Sequence, residues 1–132
     1  GSIVGLTFGT DRCELVRGIL EGVAFEIGIM AEAMRQDGFR VEELIAVGGG
    51  STSKLWLQIV TDILDVPIVS TESAYVAAFG AALIAAEEMD IEFNLDWLVI
   101  KDQFYPSDES SELYSGKRER FESVYHSLSI PD

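Results

Sequence analysis

Three consecutive glycines, Gly48, Gly49 and Gly50, stand directly before three hydroxyl side chains, Ser51, Thr52 and Ser53. Glycine lets a ligand approach the backbone, and a helix that starts just beyond offers unpaired amides and a partial positive charge. Apolar Leu44–Val47 precedes the glycines and reads as a short buried strand. Ser53–Leu64 follows and reads as a helix, with Leu55, Trp56, Ile59, Val60 and Ile63 apolar. Strand, glycine loop and helix are the parts of a phosphate or nucleotide cradle. The P-loop spacing G-x-x-x-x-G-K-[ST] is absent, and so is G-x-G-x-x-G. The residues alone leave two accounts open: a phosphate-holding loop, or a strand-to-helix turn that merely needs glycine. Lys54 could touch a phosphate, although a lysine there is more often a solvated helix residue.

The other residues capable of chemistry read as structural. Glu21 lies in an apolar helix beside Gly22, where a hydrogen-bonded acid is commoner than a general base. Arg12 and Arg17 are expected to pair with nearby acids such as Glu14 and Glu21. Asp62 and Asp65 could be metal ligands, but read as solvated acids on an exposed helix face. Cys13 sits near a helix start, which could lower its pKa, yet a small, partly buried thiol is the plainer account. His126 has no evident nucleophile beside it. No Ser/His/Asp order suggests a hydrolase, and no Cys/His cluster has zinc spacing. No catalytic residue and no metal ligand is assigned to the chain.

These residues need elements to hold them. Asp11 followed by Glu14 has capping-box spacing. Leu15, Ile19, Val23, Ile27, Ala31 and Met34 continue it at helical spacing as far as a stop at Gly38. Gly18, Gly22 and Gly28 inside that helix each cost about 1 kcal/mol relative to alanine, which suggests close backbone contact with something. Pro67–Ser70 reads as a second strand and Ala74–Met89 as a narrow, alanine-rich helix. The order helix, strand, helix, strand, helix implies an α/β fold with short parallel strands. Trp97–Ile100 could be a strand or a helical turn. A last helix is expected over Asp108–Leu128, with a fraying tail at Ser129–Asp132.

Composition bounds the function. The 132 residues are 48 % apolar and 24 % charged, so the chain reads as one globular domain over residues 1–132. Twenty-three acidic residues face nine basic ones, a formal charge of −14. That balance argues against nucleic acid and against an anionic membrane surface. An anionic ligand would need local donors: backbone amides, a helix N-terminus or a metal ion. One cysteine permits no internal disulfide and fits a reducing, cytoplasmic setting. No signal peptide is expected, because Gly1–Thr10 has neither a basic start nor a long apolar run. No apolar stretch is long enough to span a bilayer.

Five segments together resemble one family. Leu15-Val16-Arg17-Gly18-Ile19-Leu20-Glu21-Gly22-Val23-Ala24-Phe25 resembles an R-A-x-x-E-G-x-A-F helix, and Ile45–Ser53 resembles an adenosine-binding V-x-G-G-G-x-x-S. Thr61-Asp62-Ile63-Leu64 through Pro67 resembles A-D-I-L-G-x-P, and Ala77–Ala82 resembles A-x-G-A-A. Phe104-Tyr105-Pro106, with Tyr114 and Tyr125, resembles a closing F-x-P and tyrosine-rich helix. In order and spacing these are the motifs of the FGGY carbohydrate kinases. The resemblance implies part of an actin-like, ribonuclease H-like C-terminal domain, with ATP and Mg as cofactors of the complete enzyme. It puts Gly48, Gly49 and Gly50 at the nucleotide, Gly49 and Gly50 against ribose and phosphates, and Ser53 toward the adenine. The helix from Ala74 would close the far side of that pocket, and the long first helix would pack behind the sheet. The family's N-terminal domain, with most sugar contacts and the catalytic aspartate, has no counterpart in the sequence. The chain alone is therefore expected to be inactive, and its uncovered surfaces open to self-association. The alternatives are a non-catalytic actin-like nucleotide-binding module and an interaction domain.

Overall fold

A computed structural model describes residues 1–72, 75–92 and 99–128. Helix α1 spans Arg12–Gln36. Its capping box forms as the sequence predicts: Glu14 N donates to Asp11 Oδ1 at 2.8 Å, and Asp11 N donates to Glu14 Oε2 at 3.0 Å. Its far end closes on Gly38 at φ +90°, with Gly38 N bonded to Arg35 O and Phe39 N to Met34 O, each at 3.0 Å. Only glycine takes that left-handed conformation without strain.

Strand β1 spans Leu44–Ala46, a 3-10 turn spans Gly49–Thr52, and helix α2 spans Lys54–Leu64. Strand β2 is Ile68–Thr71, α3 is Val76–Glu88, β3 is Ile100–Phe104 and α4 is Asp108–Leu128. The predicted order of helices and strands holds. β1 and β2 run parallel, with Leu44 opposite Ile68 and Ala46 opposite Ser70. The sheet order is β1-β2-β3, and β3 adds an antiparallel partner that the sequence did not reveal. The reading at Trp97–Ile100 falls largely outside the described residues, as do Ala74 at the expected start of α3 and the tail Ser129–Asp132. β3 itself begins at Ile100 and carries Lys101, Asp102 and Gln103, polar residues suited to a strand with one wet face.

Helix α2 is the centre of the core. Leu57, Ile59, Val60, Ile63 and Leu64 are buried against Ala24, Phe25 and Ala31 of α1 and Tyr114 of α4. Each such aliphatic side chain contributes about 1.5–3 kcal/mol on burial. β2 is buried at all four positions, as the middle strand should be. Among its described residues α3 buries none, and Ile84 and Met89 stand exposed. A second apolar row on α1, comprising Val16, Ile19, Val23, Met30 and Met34, is also about half exposed.

The expectation of close contact at the helix glycines needs correction. A Cβ added at Gly18 or Gly22 would meet no atom within 4 Å, whereas one at Gly28 would lie 3.2 Å from Arg118 Nη2. Two further readings are corrected. Cys13 is exposed, because the first turn of α1 lies clear of the core. Asp62 is 7 % exposed rather than solvated. It accepts from Gln58 Nε2 at 2.9 Å and from Ser107 N at 3.2 Å, and so ties α2 to the start of α4.

Candidate functional site

The glycine turn begins where β1 ends. Gly48 sits at φ 77° and ψ −165°, a conformation that L side chains rarely adopt. It reverses the chain so that Gly49–Thr52 can coil. Ser51 N and Ser51 Oγ both donate to Gly48 O, at 3.1 and 2.7 Å. Thr52 Oγ1 donates to Gly49 O at 2.8 Å, and Ser53 N to Gly50 O at 3.3 Å. Ser53 Oγ then accepts from Trp56 N at 3.3 Å and caps α2. The hydroxyls therefore hold the turn in shape, and its backbone is the surface left for a ligand. Amides at the start of a helical turn have no partner within it.

The glycines can be tested one at a time. Gly48 is explained by its own backbone angle. Gly49 and Gly50 lack positive φ. A Cβ added at Gly50 would touch Trp56 at ordinary contact distance, 3.5 Å to Nε1 and 3.7 Å to Cδ1. A Cβ at Gly49 would meet nothing within 4 Å. A turn that merely needed glycine would use it at Gly48 alone, so nothing in the described chain accounts for Gly49.

Because β1 and β2 are parallel, the glycine turn and the segment leading to α3 leave the sheet at the same end. Ligands of open α/β sheets bind at that carboxyl end. Lys54, in the first turn of α2, is held by Asp102 of β3, with Nζ to Oδ1 at 2.9 Å. Gln58 Nε2 also donates to Tyr105 O at 3.0 Å, so β3 and its exit brace the helix that carries the turn. Among the described residues no group of three or more His, Cys, Asp or Glu side chains could hold a metal ion.

A second polar cluster lies elsewhere and is structural. Glu21, 8 % exposed, accepts from Arg17 Nε at 2.9 Å, Tyr114 Oη at 2.9 Å and Lys117 Nζ at 3.0 Å. Arg17 Nη2 donates to Tyr114 Oη at 3.0 Å. Burial pushes the Glu21 carboxyl up, but the hydrogen bonds from Lys117, Tyr114 and Arg17 outweigh it and hold it below its ordinary value. Burial raises the Tyr114 phenol. The expected Arg17–Glu21 pair thus forms, and Glu21 is the hydrogen-bonded acid its setting suggested. Beside it Phe25 meets Phe121 in a stack at 5.1 Å and Tyr114 edge-on at 6.1 Å. At the end of α2, Arg118 Nη2 donates to Ile63 O at 2.9 Å, a cation on helix-terminal carbonyls.

Trp56, Asp102 and Tyr114 were not singled out as site or network partners from sequence. Tyr114 and Glu21 are 93 positions apart, and Lys54 and Asp102 are 48 apart. No local spacing announces either pairing.

Taken together, the molecule is an α/β protein with a glycine turn at the carboxyl end of its parallel strands. Residues 1–89 match the C-terminal domain of the FGGY family of carbohydrate kinases, and the chain belongs to that family. It is 28 % identical to a xylulose kinase of Staphylococcus xylosus over 130 residues, 95 % of this chain and 27 % of that protein. It is 40 % identical to a glycerol kinase of Deinococcus radiodurans over 86 residues, 64 % of this chain and 17 % of that protein. A crystal structure of a xylulose kinase from Brucella ovis superposes with a TM-score of 0.81 at 34 % identity, covering 96 % of this chain and 27 % of that one. The chain therefore spans about a quarter or less of the relatives it matches. The expected actin-like, ribonuclease H-like fold class holds.

Proposed function

We propose that the chain is the nucleotide-holding part of a kinase that transfers the γ-phosphate of ATP to a hydroxyl of a sugar or polyol. The observation that carries this reading is Gly49. It lies in a turn that would accept a side chain, at the end of the sheet where ligands bind, and it is glycine. A nucleotide resting on the backbone accounts for it. In this reading Gly48 shapes the turn, Gly49 and Gly50 lie against ribose and phosphates, and Ser53 fixes the start of α2 at the adenine side. In this reading no catalytic base is assigned among the described residues. Phosphoryl transfer needs groups on both sides of the γ-phosphate, so the sugar, the base and the second half of the pocket belong to polypeptide beyond these residues. Magnesium, expected with ATP, is assigned no ligand among the described residues. The xylulose and glycerol kinases among the similar proteins support a sugar or polyol as the acceptor class.

The test is ATP binding and ATP-dependent phosphorylation of a xylulose, glycerol and gluconate panel by the full natural polypeptide carrying this sequence. Gly49→Val should weaken ATP binding by about tenfold or more, through a side chain placed where the ligand must lie. Equal ATP affinity in Gly49→Val and wild type would sink the site. ATP binding without transfer to any acceptor would favour a non-catalytic nucleotide-binding module instead.

A further inference from the structure

We propose that Lys54 binds the phosphate chain of the nucleotide and that Asp102 holds its ammonium ready until the nucleotide arrives; this rests on the nucleotide reading of the glycine turn. Lys54 directly follows Ser53 and opens α2, closer along the chain to the three glycines than any other basic residue of this sequence. A cation in the first turn of a helix faces the positive end of its dipole and is disfavoured there. No acidic residue stands in that turn to offset it. The compensating charge comes from another element, with Lys54 Nζ 2.9 Å from Asp102 Oδ1 on β3. Asp102 lies opposite Ser70 of β2, and Ser70 opposite Ala46 of β1, two residues before Gly48. The ammonium is therefore drawn from the start of α2 toward β3, near the end of the sheet where the glycine turn stands.

The pair is built for exchange. The Lys54 side chain is 73 % exposed and that of Asp102 28 %, and an ion pair in such a setting holds little. A phosphate oxygen offers an ammonium a shorter and stronger charge-assisted bond. Other cations of the fold are committed elsewhere: Arg17 and Lys117 to Glu21, and Arg118 to Ile63 O. In a sequence of formal charge −14, a polyphosphate must find its positive charge locally. Lys54 supplies that charge beside the turn, and Asp102 keeps it there without burying it.

The test is nucleotide affinity, measured by titration calorimetry on the full natural polypeptide carrying this sequence. Lys54→Met should weaken ATP binding by about tenfold and adenosine binding by less than about twofold. Asp102→Asn should act in the opposite direction and tighten ATP binding by about two- to fivefold, because the ammonium loses its competing partner. That gain should vanish when both substitutions are combined, leaving the affinity of Lys54→Met alone. A merely structural ion pair gives another pattern: both single variants lower the melting temperature, and neither separates ATP from adenosine. Unchanged ATP affinity in Lys54→Met, or an equal loss for ATP and adenosine, overturns the proposal. An Asp102→Asn gain that persists without Lys54 overturns the exchange. Gly49→Val run in parallel keeps the two readings apart. If it weakens ATP binding and Lys54→Met does not, the phosphate role of Lys54 falls and the turn stands. If neither changes ATP binding, the turn itself is not the nucleotide site.

Discussion

The junction between α1 and α4 and the glycine turn after β1 are built on opposite principles. At the junction, the Glu21 carboxylate takes three donors, and Phe25 lies between two aromatic rings. Residue choice there is explained by neighbours within the chain. At the turn, Gly48 is explained by its backbone angle, an added Cβ at Gly50 would meet the indole only at ordinary contact distance, and Gly49 faces open space. A residue that its own fold does not require is a better guide to function than one locked into a network. Perturbed acids mark active sites in many proteins. Here the perturbed acid is a fastener, and the unremarkable glycine is the candidate.

Breaking the junction should have the largest effect. Phe25→Ala removes a buried ring that meets both Tyr114 and Phe121, and should cost about 3–4 kcal/mol in denaturant unfolding. A loss below about 1 kcal/mol would mean that α4 is not anchored through this ring. Glu21→Gln is expected to cost about 2 kcal/mol, since it removes the charge from three hydrogen bonds. The pH dependence follows from the same carboxyl. Its value is lowered in the folded state, so its contribution is full above the ordinary glutamate value near 4.3 and is lost as pH falls through the lowered one. Acid titration of stability should therefore be shallower in Glu21→Gln than in wild type. Identical profiles would exclude the network from acid unfolding.

The turn sharpens the contrast at smaller magnitudes. Gly48→Ala forces a side chain into left-handed backbone and should cost about 1–2 kcal/mol. Gly18→Ala and Gly22→Ala should instead stabilise this chain, by somewhat under 1 kcal/mol each, because helix propensity improves and no neighbour is struck. Destabilisation at either position would reveal a close partner for the outer row of α1. Gly49→Ala should change stability least, within about 0.5 kcal/mol in denaturant unfolding. A large stability loss there would favour the other account of the turn, a structural need for glycine.

Much of this was legible in the sequence where the signal is local. The capping box at Asp11 and Glu14, the stop at Gly38, the helix start near Ser53 and the span Asp108–Leu128 rest on local signals in the sequence. β3 was not legible, because Lys101, Asp102 and Gln103 carry no apolar run and its pairing with β2 is made some thirty positions away. Asp62 looked like a surface acid because its partner, the Ser107 amide, arrives from a distant segment. At the candidate site, the glycines and Ser53 could be named from the chain, but the indole near Gly50 could not. Trp56 was readable as an apolar helix position, and only three-dimensional placement separates a core side chain from one that also touches the turn.

The exposed thiol of Cys13 has a practical consequence. It is the single cysteine of the sequence, at the second residue of α1 and clear of the core. Within these 132 residues a maleimide dye has one thiol to attach to, and with Trp97→Phe leaving Trp56 as their one indole donor the pair would measure the distance between the outer helix and the glycine turn. The same thiol can link two molecules through air oxidation, so any doubling of mass in solution should be weighed again under reductant before it is credited to the apolar surfaces of the fold.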